Sequence, residues 1–130
     1  MNKMQNIIQL IWLKKWAILF CTFLGLVTFL LFIELPPKAN NVPYVDKIQH
    51  TFVFAILYGF GTMAWSPHRY WLAAALILFG ALVEPLQSML TSTRQASVYD
   101  WLADIAGIVI AVALLTLVDK MRVPTRLSSK

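Results

Sequence analysis

Apolar residues along this chain are gathered into long blocks, with the polar positions concentrated at the block edges. The first block, Trp16 to Ile33, holds eighteen uncharged residues behind Lys14 and Lys15. At 1.5 Å per residue a helix of that length reaches about 27 Å, enough to cross the hydrocarbon of a bilayer. A cleavable signal peptide competes with this reading, but the run exceeds the usual apolar region, and Leu35-Pro36-Pro37-Lys38 offers no small-x-small cleavage site. A retained span is therefore expected. The second block has an apolar core, Phe52 to Trp65, that is too short alone, so its helix must extend back through His50, Lys47 and Asp46. Ser66 and Pro67 then read as an N-cap and first helical residue, opening a third helix that runs to about Gln87. After a polar link from Ser88 to Ala96, Ser97 and Asp100 form a capping-box pattern that opens a fourth helix, continuing to about Val118.

The pattern predicts an all-α fold: a single-domain, four-span transmembrane helix bundle over residues 1–130, with spans near 16–33, 46–65, 68–87 and 98–118. Composition agrees. The chain is 59% hydrophobic and 13% charged, with a mean hydropathy of +0.69, outside the usual range of water-soluble domains. Four spans put both ends of the chain on one face. That face would carry Lys3, Lys14, Lys15, Arg69, Lys120, Arg122, Arg126 and Lys130 with Asp119, a net of +7. The opposite face would carry Lys38, Lys47 and Arg94 against Glu34, Asp46, Glu84, Asp100 and Asp104, a net of −2. Positive residues favour the cytoplasmic side, so both termini are expected there. The overall charge of +5 is then an orientation signal with some attraction to anionic lipid, and no nucleic-acid partner is expected.

Interfacial aromatics fit the same frame, with Trp12, Trp16, Trp65, Tyr70 and Trp71 on the inner side and Tyr44, Tyr99 and Trp101 on the outer. Ala55 with Gly59, and Ala103 with Gly107 and Ala111, are small residues at four-residue spacing that permit close helix packing. The first dozen residues are either an interfacial helix or an extension of the first span. Cys21 is the single cysteine, so an intrachain disulfide is excluded.

The candidate chemistry lies on the outer side. Asp46, Lys47 and His50 open the second helix, Glu84 and Gln87 close the third, Asp100 and Asp104 open the fourth, and Arg94 lies in the link. Antiparallel threading brings them to one level. Asp46 and His50 are four apart, Glu84 and Gln87 three apart, and Asp100, Asp104 and Gly107 follow a four-then-three step, so each set shares a helix face. An ionised carboxylate facing lipid costs several kcal/mol, so Glu84 is expected to be paired, hydrated or protonated inside the bundle. Pro85 directly after it can bend the helix and free a backbone carbonyl. Plainer roles compete at several positions. Asp100 and Asp46 suit helix N-termini, Lys47 suits snorkelling, Arg94 suits an ordinary loop charge, and His50 suits a structural hydrogen bond. His68 reads as interfacial.

In this order, Asp46-Lys47-x-x-His50, then Glu84-x-x-Gln87, then Arg94, Ser97, Asp100, position 104 and Gly107, the chain resembles the VanZ-like family of small membrane proteins. The family usually has asparagine where this chain has Asp104. The resemblance implies a protein of the bacterial cytoplasmic (inner) membrane and cell envelope, and the family's founding association is with resistance to teicoplanin, a lipid-tailed glycopeptide.

Four readings of function compete. The leading one is a non-enzymatic envelope protein whose outward polar pocket, built from Asp46, Lys47, His50, Glu84, Gln87, Arg94, Asp100 and Asp104, binds a lipid head group, a lipid-linked cell-wall precursor or an amphiphilic drug. Lys47 and Arg94 would be its anion contacts. The second is an intramembrane enzyme acting on a phosphorylated or acyl lipid, with His50 or Glu84 as acid or base. Against it, a two-histidine phosphatase would need a second histidine on the same face, and no G-x-S-x-G elbow is present. One imidazole among four carboxylates lacks diagnostic metal spacing, so neither metal nor other cofactor is expected. Transport is disfavoured by the lack of an inverted repeat. A structural or partner subunit with an internal salt-bridge network is the fourth reading.

Overall fold

The computed structural model describes residues 2–33, 44–92 and 95–122. These form four helices: α1 (Lys3–Phe32), α2 (Val45–Ala64), α3 (Arg69–Leu90) and α4 (Val98–Arg122), with a 3-10 turn at Ser66–His68 between α2 and α3. The fold is all-helical. Three stretches, Lys3–Phe32, Ser66–Leu90 and Val98–Arg122, are long and apolar enough to cross a membrane. In α2 the polar residues Asp46, Lys47, Gln49 and His50 occupy the first two turns.

Helix α2 is the centre of the bundle. It packs most extensively on α4, then on α1, while α3 closes against α4 and α2; α1 and α4 flank α2 without packing on each other. Phe20, Phe54, Leu57, Tyr58, Leu76, Ile108 and Ala111 form the core. Large apolar side chains such as Ile18, Phe29, Leu78, Leu82, Val109, Leu114 and Leu117 instead face outward. So much exposed apolar surface is foreign to a water-soluble monomer.

Helices α2 and α4 run parallel in a constant register. Lys47 meets Asp100, His50 meets Asp104, and Thr51 meets Ala103, offsets of 53, 54 and 52 residues. The close approach depends on Gly107. A Cβ there would run into the carbonyl oxygen of Thr51 and lie 3.1 Å from the amide nitrogen of Ala55, both backbone atoms that cannot rotate away. Ala103 and Ala111, one turn to either side, are buried in the same seam. The small-residue stripe of α4 therefore does what its spacing suggested. Gly59 does not, because the space beside it is open.

Element boundaries differ from the expected ones in four places. Helix α1 begins at Lys3, so the first dozen residues extend the first helix, although none of residues 3–19 is buried. Ser66 and Pro67 form the separate 3-10 turn, and His68 is the residue before α3. Ser88, Met89 and Leu90 belong to α3, and α4 continues past Val118 to Arg122. At that end Arg69 donates to Asp119 at 3.1 Å, tying the start of α3 to the end of α4.

Candidate functional site

The opposite end of the bundle collects the polar residues. His50 is five residues into α2, Asp104 six into α4, and Glu84 six from the end of α3. At 1.5 Å per residue these positions lie about 8–9 Å inside their helix ends. All three are buried, with 8%, 7% and 2% exposure for His50, Glu84 and Asp104.

Two interhelical rungs join α2 to α4. In the outer rung Lys47 Nζ donates to Asp100 Oδ1 at 2.7 Å, with side-chain exposures of 37% and 14%. One turn deeper, His50 Nδ1 lies 2.8 Å from Asp104 Oδ1, and an ionised Asp104 makes Nδ1 the donor. Thr51 Oγ1 stitches the same seam by donating to the carbonyls of Lys47 at 2.9 Å and Ala103 at 3.1 Å. Gly80 of α3 makes room for the inner rung, since a Cβ there would stand 2.8 Å from Asp104 Oδ2.

Glu84 serves the start of α4. Its Oε2 accepts from the backbone N–H of Ser97 at 3.0 Å, while the Asp100 N–H faces Ser97 Oγ at 3.4 Å. In a capping box the reciprocal acceptor would be the Asp100 carboxylate. Here Glu84 reaches in from α3 to take that place, and Asp100 is released to pair with Lys47.

Glu84 also lines the pocket of this end, a cavity of about 320 Å³ bordered by Ala81, Glu84, Pro85, Ala96, Ser97, Val98 and Trp101. That volume is at the lower end of the range for small-molecule sites. Its walls are apolar apart from Glu84 and Ser97. Pro85 has no N–H for the carbonyl of Ala81, the residue four positions earlier in α3, so that carbonyl lacks its helical donor. Trp101 is held in place by an Nε1–H bond to the Ile77 carbonyl at 3.0 Å.

Most of the residues singled out from the sequence thus meet at one end, with differences. Gln87 turns away from the cluster, donating to the Leu31 carbonyl at 2.7 Å and so tying α3 to α1. Lys47 is engaged by Asp100, which removes it as a ready anion contact. Asp46 is exposed on the first turn of α2. Arg94 lies outside the described residues. Two groups of potential ligand atoms each fall within 4.8 Å of one another: Asp46, His50 and Asp100 near the surface, and His50, Glu84 and Asp104 inside. Sequence reasoning missed Thr51 and the pocket role of Trp101. Thr51 is four residues after Lys47, and Trp101 three before Asp104, so helical spacing could have placed both on the site's faces. A comparison with known protein families, curated proteins and solved structures finds no match to this chain.

Proposed function

We propose that this chain is a VanZ-like, four-span protein of the bacterial inner membrane, with both termini cytoplasmic, whose outward-facing pocket binds an amphiphile by its polar end. The ligand class comprises lipid head groups, lipid-linked cell-wall precursors and amphiphilic drugs, and a link to glycopeptide resistance belongs to the same proposal. The family reading rests on the ordered residues from Asp46 to Gly107. Orientation rests on the excess of Lys and Arg on the terminal face. In this reading α2, central and polar only in its first turns, is the fourth span.

The observation that carries the binding reading is the pocket between α3 and α4: apolar walls with one carboxylate, Glu84, at a helix-capping position. Apolar walls with few convergent polar groups suit a ligand that is itself part apolar. Catalysis is less well supported. His50 is buried against Asp104 and does not line the pocket, so a bound ligand meets Glu84 and not the His–Asp pair. The two interhelical rungs favour one addition to the reading, that the network also holds α2 and α4 in register.

A photoactivatable phospholipid or lipid-linked precursor, added to membranes containing the full chain, tests the proposal. Crosslinks at Trp101 or Val98 that are lost in Ala96→Trp, which fills the mouth of the pocket, support it. Crosslinks spread evenly over the outer faces of α1 and α3, and indifferent to Ala96→Trp, contradict it.

A further inference from the structure

We infer that His50, Glu84 and Asp104 form a binding site for a divalent transition-metal cation such as Zn²⁺, buried between α2, α3 and α4. The three side chains come from three different helices, each is more than nine-tenths buried, and their ligand atoms lie within 4.8 Å of one another. Solvated surface acids converge by chance; two buried carboxylates and an imidazole from separate helices require a reason to be there. Among the described residues, the only basic side chain hydrogen-bonded to either buried carboxylate is His50. Within this triad two carboxylates, when ionised, face one imidazole, and a divalent cation would offset the difference.

The donor set selects the metal. One imidazole and two carboxylates suit Zn²⁺ or Mn²⁺ over the softer Cu⁺, which prefers thiolates, and over Ca²⁺, which takes six or more oxygens. Ligands about 2.1 Å from a metal stand roughly 3–4 Å apart, within reach of these three by side-chain rotation. The proton now between His50 Nδ1 and Asp104 would leave to solvent when the metal binds. Asp46 and Asp100 form a second group with His50 nearer the surface, with Asp100 held by Lys47. Gly80 supports the site from behind by leaving space for Asp104 Oδ2.

Where it touches the ligand, the inference rests on the pocket reading above. Glu84 belongs both to the triad and to the pocket wall, so a bound cation would cancel the carboxylate charge at the pocket's polar end and leave a coordination position open toward it. An anionic head-group oxygen would take that position, a contact that Lys47, committed to Asp100, does not offer.

Calorimetric titration of Zn²⁺ into chelator-stripped full-length protein in detergent tests the site. The expected result is one Zn²⁺ per chain, with binding weakened at least about tenfold in Glu84→Gln and His50→Ala and changed far less in Asp46→Asn. Glu84→Gln is nearly isosteric and keeps an acceptor for the Ser97 N–H, so it guards against loss of fold; helical circular dichroism checks both variants. Should His50→Ala not fold, Co²⁺ absorption of the wild type and Glu84→Gln replaces it, with ligand-field bands expected only in the wild type. Absence of stoichiometric uptake, absence of Co²⁺ bands, or equal binding in wild type and Glu84→Gln overturns the site. Ala96→Trp separates the two ideas: loss of amphiphile capture with Zn²⁺ uptake intact is expected, and loss of Zn²⁺ uptake in a folded Ala96→Trp protein contradicts a site confined to the triad.

Discussion

His50 Nδ1 lies 2.8 Å from Asp104 Oδ1, one helical turn below the 2.7 Å pair of Lys47 and Asp100, so two polar rungs hold α2 and α4 in parallel register. The inner rung is nearly sealed from solvent and the outer one is not. Their energetic weights should differ accordingly.

For the inner rung, Asp104→Asn keeps an oxygen to accept from His50 and loses only the charge assistance, a cost of about 1 kcal/mol. Asp104→Ala removes the acceptor and leaves the imidazole unsatisfied, a cost of about 2–4 kcal/mol. Thermal unfolding of the purified variants in chelator should rank wild type, Asn, then Ala. Asn and Ala variants both as stable as the wild type would show that the pair does not support the fold.

For the outer rung, the exposed Lys47 pays side-chain entropy and is screened by salt. Lys47→Ala should cost no more than about 1 kcal/mol, and less still at high ionic strength. Unfolding curves at low and high salt read this directly; a large loss insensitive to salt would mean that the pair is effectively buried.

Gly107→Ala should be among the most damaging single-methyl changes in the chain. Its Cβ meets the backbone of Thr51 and Ala55, so the helices must separate, at a cost of about 1–3 kcal/mol. Gly59→Ala, with open space beside it, should be neutral or slightly stabilising through helix propensity. A reversed order in unfolding temperature would contradict the parallel packing of α2 and α4.

Glu84→Ala removes the acceptor for the Ser97 N–H and with it part of the start of α4, worth about 1 kcal/mol. It also removes the only carboxylate among the described residues that line the pocket. In cells lacking the native copy, Glu84→Ala, Glu84→Gln and Arg94→Ala are each expected to abolish any drug or detergent phenotype of the protein while membrane levels stay normal. Unchanged susceptibility at normal levels would count against a functional site.

Much of this arrangement could be read from residue order, because a helix fixes which side chains share a face and antiparallel threading fixes their depth. His50, Glu84 and Asp104 were placed at one level by the 1.5 Å rise alone. What spacing could not supply was partner choice. Asp100 fits a capping box with Ser97 as well as an ion pair with Lys47, and the choice is made by Glu84 arriving from α3. Likewise Gln87 shares a face with Glu84, yet the end of α1 passes close enough for the Leu31 carbonyl to claim it. The same limit explains Gly59 and Gly107: both lie in small-residue stripes, but only one faces a neighbouring backbone. Ser66-Pro67 does open the helical stretch that runs to Leu90, but with a 3-10 first turn, because proline's preset φ suits that turn as readily as an α-helical one.

In the proposed topology the pocket beside Glu84 opens to the outside of the cell. Ala96 lines that pocket and is exposed, so Ala96→Cys in a Cys21→Ser background reports on it. A membrane-impermeant maleimide applied to intact cells should label Ala96→Cys, while His68→Cys at the other end should be labelled only after permeabilisation. Labelling of His68→Cys in intact cells, with Ala96→Cys protected until the membrane is opened, would place the pocket in the cytoplasm and contradict the account.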